Sequence, residues 1–259
     1  MKKRIFGAII VVSVLVIGAL LGTHVFALVM TGASLLGLKE LIDIKYERRD
    51  ILPIKILSYF FLALFLLNNI FYRVDTRVLI ILPILSLIIP IVFYDDRNKY
   101  NINDAFYFLG IIFFLSFSFT TIINTRSSNI YKCIYIFIIS FVTDTYAYIG
   151  GMLVGKHHFT DISPKKTIEG SLIGICVGTF VGSIYYYAIY ASMNIILIVA
   201  MSLFLTILSE VGDLVFSSIK RYFGRKDYSN LIPGHGGILD RFDSVIFVSL
   251  GLMFVLLLF

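Results

Sequence analysis

Long, nearly uninterrupted apolar blocks are the feature that most limits what this chain can fold into. Nine of them run along its 259 residues: 5–21, 24–42, 53–72, 77–94, 104–123, 130–150, 168–190, 194–217 and 243–259. A helix needs roughly 20 apolar residues to cross about 30 Å of hydrocarbon, and each block has or nearly has that length. Only 15% of the residues are charged, against about a quarter in soluble domains. The sequence therefore predicts an all-α polytopic membrane protein with about nine transmembrane helices.

The distribution of basic residues predicts the orientation of these helices. If the N-terminus lies in the cytoplasm, 18 of the 22 Lys and Arg residues fall on the cytoplasmic side. The other side keeps Arg73, Arg77, Arg126 and Lys132. Such an excess of basic residues is typical of cytoplasmic loops. The net charge of +6 is therefore a topology signal, and we expect membrane lipids and no nucleic acid as partners.

Acidic residues inside two apolar blocks point to a functional site. Asp144 lies in the sixth block, and Glu210 and Asp213 lie three residues apart in the eighth. A charge deep in a membrane costs about 2.5–3.5 kcal/mol, so each residue needs a partner, a polar cavity or an ion. An interhelical ion pair or a side chain that snorkels to the membrane surface is the alternative explanation, and for Glu210 it is equally good.

Two predicted cytoplasmic loops, 151–167 and 218–242, flank these acidic residues and are rich in Gly, Lys, His, Asp and Pro. We interpret the chain as a single membrane domain, 1–259. In this interpretation the helices within 1–123 form a scaffold, and 130–259 is a catalytic portion that contains both loops.

The loop 218–242 combines the residues of a phosphate site with those of a metal site. Its cations can neutralise a polyphosphate, and they are Lys220, Arg221, Lys226 and Arg241. Its glycines let backbone amides approach oxyanions, and they are Gly234, Gly236 and Gly237. Asp240 and Asp243 can present carboxylates together, and Mg²⁺ is usually held by carboxylates with bound phosphates. The alternative is a basic loop near anionic headgroups, which would not need the glycines or the paired aspartates.

The loop 151–167 ends in Ser163-Pro164-Lys165-Lys166-Thr167. Pro164 predicts a turn, and Thr167 lies where it can cap the seventh helix, whose N-terminus favours anions. An ordinary positively charged loop with a helix cap is the alternative.

The stretch from Ser217 to Asp243, the signature segment below, resembles the signature of the phosphatidate cytidylyltransferase family (CDP-diacylglycerol synthases). That signature reads Ser-x-hydrophobic-Lys-Arg, four residues, Lys-Asp, a short spacer, Pro-x-His-Gly-Gly and hydrophobic-x-Asp-Arg-hydrophobic-Asp. The chain fits it without a gap over 27 positions. Residues 144–148, 163–167 and 212–214 resemble further family segments in the expected order, whereas the first half of the chain is similar only in hydropathy.

The resemblance implies an enzyme that transfers the cytidylyl group of CTP to phosphatidic acid and releases pyrophosphate. It also implies Mg²⁺ as cofactor, a homodimer, and an active site on the cytoplasmic side of the bacterial cytoplasmic membrane. The implied metal ligands are Asp213 and Asp240. The implied catalytic residues are Asp144, Lys166, Lys226, Asp227, His235, Arg241 and Asp243. The implied substrate-binding residues are Ser163, Lys165, Thr167, Lys220, Arg221, Gly236 and Gly237.

Three alternatives and one ambiguity stay open at this point. The acceptor could be another lipid phosphate, such as an ether-lipid phosphate, or a lipid alcohol in a CTP-dependent kinase. A cation-coupled transporter also uses intramembrane aspartates, but it needs access from both sides, whereas these acidic residues gather beside one loop system. Many relatives have Gly where this chain has Lys165, so either Lys165 or Lys166 could point into the site.

Overall fold

The computed structural model describes residues 12–46, 51–93, 100–231 and 236–258, and these are almost entirely helical with no β-strand. Helix α1 covers the described residues 12–20. The following helices are α2 (Thr23–Tyr46), α3 (Leu52–Leu67), α4 (Thr76–Ile88), α5 (Ile102–Ser128), α6 (Ile130–Val154), α7 (Ile168–Ile189), α8 (Ile195–Tyr222) and α9 (Leu239–Leu258). The predicted all-α class is confirmed.

Six of these helices, α2 and α5 to α9, are long and apolar enough to cross a membrane. Helices α3 and α4 are apolar but shorter, with 16 and 13 residues. Helix α3 continues into a π-helical turn at Asn68–Tyr72, and α4 into a 3₁₀ turn at Ile89–Val92 that contains Pro90. Proline lacks the N–H that an α-helix needs, which explains why α4 ends there. The first apolar block lies partly outside the described residues.

The first of two compact units contains Met1–Asn124 together with Tyr228–Ile238. Within it, α2 is tied to α5 by two tyrosine hydroxyls. Tyr46 donates to Asp104 Oδ1 at 2.6 Å, and Tyr107 donates to the Leu41 carbonyl at 2.7 Å. These bonds satisfy polar groups that are buried among apolar side chains. They offset the free-energy cost of removing those groups from water.

The second unit contains Thr125–Asp227 and Leu239–Phe259, and it is built from α6, α7, α8 and α9. Gly174 of α7 faces α6 so closely that an added Cβ would lie 2.6 Å from the Thr143 carbonyl oxygen. Small residues allow membrane helices this approach. Tyr135 of α6 and Ser202 of α8 share a hydrogen bond of 2.7 Å. Residues 228–238 were predicted to belong to the catalytic portion, but they pack in the first unit. The single-domain interpretation stays a prediction.

Candidate active site

Lys166 joins the two acidic residues of α8. Its Nζ lies 2.9 Å from Glu210 Oε2 and 2.7 Å from Asp213 Oδ2. The two carboxylates are three residues apart and therefore share one face of the helix. Glu210 is almost fully buried, whereas Asp213 keeps about 30% of its side chain exposed. Asp213 is thus the member of the pair that a ligand reaches from solvent.

The loop before α7 aims Lys166 at these carboxylates. The Lys166 amide donates to the Ser163 carbonyl at 3.0 Å and closes a turn around Pro164. Thr167 caps α7, because its side chain accepts from the Gly170 amide at 3.2 Å. The predicted helix cap is confirmed. Lys165 is exposed and Lys166 is half-buried against the carboxylates, so Lys166 is the inward-pointing lysine.

The protonation of Lys166 is set by its neighbours. Burial lowers the pKa of this ammonium, but the Asp213 and Glu210 carboxylates outweigh that effect and raise it above the usual lysine range. The pKa of Lys166 is higher in the folded protein than in the unfolded chain, so its ion pairs stabilise the fold fully at any pH below the ordinary lysine pKa. This stabilisation is lost as the pH rises through the raised pKa of the folded protein. Lys166 is therefore a permanent cation at physiological pH.

Two further carboxylates complete what we call the acidic cluster: Asp144, Glu210, Asp213 and Asp243, with Lys166. Asp144 of α6 accepts from Ser244 Oγ at 3.1 Å, and Asp243 of α9 accepts from the Ser244 amide at 2.9 Å. Ser244 thus links Asp144 to Asp243. The cluster thus gathers groups from three helices and one loop.

Glu210 is held more completely on one oxygen than on the other. Its Oε2 accepts from Lys166 and also from Ser171 Oγ at 3.0 Å. Its Oε1 is buried and has no hydrogen-bond partner among the described side chains and backbone. A buried polar atom without a hydrogen-bond partner costs free energy. Such an atom is typical of a site where a ligand or an ion supplies the missing partner.

The acidic cluster borders a cavity of about 540 Å³ with two kinds of lining. Asp144, Glu210 and Asp213 supply acidic groups to the polar part, and Lys165 and Lys166 supply cations to it. Tyr148 and Met152 of α6 supply an apolar part, and both side chains are exposed on the helix surface. Because lysines and apolar side chains both line the cavity, it suits a molecule with an anionic headgroup and a hydrocarbon tail.

Lys220 and Asp240 form a second, separate ion pair. Lys220 Nζ donates to Asp240 Oδ1 at 2.6 Å, and both residues are buried. Lys220 lies in the last turn of α8 and Asp240 in the first turn of α9. The predicted phosphate ligand and the predicted metal ligand therefore contact each other, while Asp213 contacts Lys166.

The other predicted site residues occupy the ends of α8 and α9 and the segment between them. Arg221, Lys226, Asp227 and Arg241 are exposed. Arg221 Nε donates to the Ile162 carbonyl at 3.4 Å and so reaches the loop before α7. Gly236 has a φ of 76°, a left-handed conformation that glycine adopts without strain. His235 lies outside the described residues.

Sequence reasoning did not single out Ser171 or Ser244, the hydroxyl partners of Glu210 and Asp144. A serine in an apolar helix gives no distinguishing signal, because its hydroxyl also bonds to the helix's own carbonyls. Glu210 was left open between an ion pair and a site, and the structure supplies the ion pair with Lys166. The three-residue spacing between Glu210 and Asp213 was the sequence signal for a shared site.

The donor set fits a divalent cation that is bound together with phosphates. No group of three His, Cys, Asp or Glu side chains within the described ranges could hold a metal by itself. Mg²⁺, however, is commonly held by one or two carboxylates plus substrate phosphates. Within the described residues, Glu210 Oε1 has no hydrogen-bond partner, and Asp213 is partly exposed beside it, so both carboxylates offer oxygen atoms to such an ion.

These features define an all-α integral membrane protein with a buried carboxylate–lysine site beside an amphipathic cavity. The chain matches the model of the Cytidylyltransferase family over residues 2–259, and it belongs to that family. It is 34% identical over 249 residues to the phosphatidate cytidylyltransferase of Staphylococcus aureus (strain COL), covering 96% of each chain. It is 40% identical over 154 residues to the protein of the same name from Staphylococcus haemolyticus (strain JCSC1435), covering 59% of each chain. The family membership that the signature segment indicated is confirmed.

Proposed function

We propose that this chain transfers the cytidylyl group of CTP to phosphatidic acid, which yields CDP-diacylglycerol and pyrophosphate. The observation that carries the proposal is the acidic cluster at a cavity with polar and apolar walls. The full-length family match and the names of the relatives support the same reaction.

The chemistry asks mainly for charge neutralisation and alignment. The phosphate monoester of phosphatidic acid is already a nucleophile, so no covalent enzyme intermediate is needed. Its oxygen attacks the α-phosphorus of CTP, and the bond to the β-phosphate oxygen breaks as pyrophosphate leaves. Lys166 holds a fixed positive charge beside the cavity, and Lys226 and Arg241 supply exposed cations for the phosphates. Bringing two anions together in this way lowers the barrier through positioning and electrostatics.

Asp213 and Asp240 are the carboxylates that we propose for Mg²⁺. When bound, the ion would polarise the α-phosphate and favour departure of pyrophosphate. Asp213 is the partly exposed member of the α8 pair, and Asp240 begins α9. Lys166 forms an ion pair with Asp213, and Lys220 forms one with Asp240.

We further propose nine membrane spans, a cytoplasmic N-terminus and an active site on the cytoplasmic side of the bacterial cytoplasmic membrane. Support comes from the 18 of 22 basic residues that this arrangement places inside. A homodimer is proposed by similarity to the family alone.

Labelled CTP tests the reaction and its acceptor. Purified protein receives CTP labelled at the α- or γ-phosphate, together with phosphatidic acid, an ether-lipid phosphate or diacylglycerol. We expect α-label in lipid with phosphatidic acid and no γ-label in any lipid. Transfer of γ-label to diacylglycerol would instead establish a lipid kinase, and a strong preference for the ether lipid would change the substrate.

A further inference from the structure

A short antiparallel pairing in the loop before α7 contains Lys166. His158 and Thr167 form the bridge of this pairing. Beside the bridge, the Phe159 amide donates to the Lys166 carbonyl at 3.0 Å. His158 Nδ1 also donates to the Pro164 carbonyl at 2.9 Å, since a carbonyl oxygen only accepts. The backbone around Lys166 is therefore held in one register against the segment that faces it.

The register of this pairing decides which lysine contacts the acidic cluster. In the observed register Lys166 Nζ reaches Glu210 and Asp213, while Lys165 is exposed. A slip of one residue in paired backbone changes the position of every side chain in it. Such a slip would place Lys165 opposite Phe159, where Lys166 now lies. The choice between two lysines thus depends on whatever holds the register.

Glu169, in the first turn of α7, binds the residues that enter this pairing. Its Oε2 accepts from the Lys156 amide at 3.1 Å and from the His157 amide at 3.2 Å. Its Oε1 lies 2.5 Å from His157 Nδ1. Next to it, the Ile168 amide donates to the His157 carbonyl at 3.0 Å. One carboxylate therefore joins the beginning of the loop to the helix that follows it.

The bonds from the two amides matter more than the ion pair with His157. The His157 side chain is 75% exposed, and exposed ion pairs contribute little to stability. Hydrogen bonds from backbone amides to a carboxylate are charge-assisted and stronger than neutral ones. Because both amides meet one oxygen of Glu169, a slip of the pairing by one residue would disturb both bonds. Glu169 therefore favours the observed register.

We propose that Glu169 is a positioning residue for cytidylyl transfer, which fixes the register of the pairing so that Lys166, and not Lys165, contacts Glu210 and Asp213. All of these residues belong to the second unit. The inference rests on the proposed function, in which Lys166 acts on the substrate phosphates. Glu169 itself touches no substrate and acts through Lys166.

Hydrogen–deuterium exchange tests the structural half without any need for activity. In Glu169→Ala, peptides that contain Lys156 and His157 should exchange about tenfold or more faster, because both amides lose a charged acceptor. Glu169→Gln keeps one oxygen for the two amides and should exchange more slowly than Glu169→Ala. The matched control is Asp161→Ala, because Asp161 is an exposed carboxylate of the same loop. It should leave the exchange of these peptides unchanged.

A double-mutant cycle on the melting temperature tests whether Glu169 sets the register. In the native background, Lys166→Gln should lower the melting temperature much more than Lys165→Gln. In the Glu169→Ala background this difference should shrink by about half or more, because the loop no longer favours one lysine over the other. An undiminished difference would show that the register does not depend on Glu169.

Kinetics test the functional half. Glu169→Ala should lower kcat/KM for CTP by about 10- to 100-fold, the size expected when a catalytic group is misplaced. Glu169→Gln should retain most of the native rate, and Asp161→Ala should match it. In Lys166→Gln protein, Glu169→Ala should cause little further loss, since its effect passes through Lys166.

A shorter side chain keeps the proposal testable if Glu169→Ala does not fold. Glu169→Asp retains the charge but reaches one methylene less far, and it should give the same pattern at smaller size. Native exchange or native kinetics in Glu169→Ala would overturn the inference. Failure of the native protein to use CTP would instead refute the proposed function, whereas exchange and melting would still decide whether Glu169 holds the pairing.

Discussion

Lys166 forms ion pairs with two carboxylates through one ammonium group, and it does so from a loop rather than from a helix. The adjacent residue, Lys165, carries the same charge but is exposed. The turn around Pro164 and the Thr167 cap decide which of the two lysines contacts the carboxylates. Lys165 and Lys166 are the same residue type, so the sequence does not show which of them points inward. The local backbone geometry determines this.

Replacing Lys166 should be far more harmful than replacing its neighbour. Lys166→Gln leaves Glu210 and Asp213 without their cation, and removing one partner of a buried ion pair costs about 3–5 kcal/mol. Thermal unfolding in detergent and cytidylyl transfer should both fall sharply. Lys165→Gln is the matched control and should change stability by less than about 0.5 kcal/mol. Equal behaviour of the two variants would remove Lys166 from the site.

The acidic residues and the cap could be predicted from the sequence because each breaks a local pattern. Asp144 and Asp213 are charges in apolar helices, and Thr167 stands just before an apolar run. Partners were not predictable in the same way. Lys220 was assigned to phosphate, yet it binds Asp240, and nothing local indicates that Glu40 binds Ser229. Such pairings depend on how distant helices pack.

Helix α7 shows the same contrast at the scale of elements. Its boundaries follow from the apolar pattern and the cap, and the structure has it at Ile168–Ile189. Helices α3 and α4 are shorter than the apolar blocks that predicted them, because a π-helical turn and Pro90 interrupt the regular helix. Hydropathy indicates which blocks of residues avoid water. It does not show whether the backbone of a block forms α-, 3₁₀- or π-helical hydrogen bonds.

The contact between α6 and α7 should be sensitive to a single methyl group. Gly174→Ala would place a Cβ 2.8 Å from that of Ala147, and such overpacking costs about 1–3 kcal/mol. Gly110→Ala in α5 is the control, because nothing lies within 4 Å of the added Cβ and alanine favours helices by about 0.5–1 kcal/mol. We expect Gly174→Ala to lower the melting temperature in detergent and Gly110→Ala to maintain or raise it. The opposite order would show that the helices do not pack as described.

For the whole molecule, the proposed topology makes a prediction about two positions in the second unit. Single cysteines at Arg126 and Lys165, in a background without Cys133 and Cys176, should react with a membrane-impermeant reagent from opposite sides. The reason is that helix α6 separates them and is long enough to span the membrane. Labelling of both from the same side would refute the nine-span arrangement.

The metal dependence of two variants tests the central claim, that the acidic cluster and Asp240 perform cytidylyl transfer. Asp213→Asn and Asp240→Asn keep size and hydrogen bonding but remove charge, and Asp161→Asn serves as an exposed control in the loop 151–167. Turnover of CTP and phosphatidic acid is measured against Mg²⁺ concentration for folded protein. Each site variant should lose activity by about 100- to 1,000-fold, whereas the control should match the native protein. Near-normal turnover at ordinary Mg²⁺ in either site variant would contradict the account.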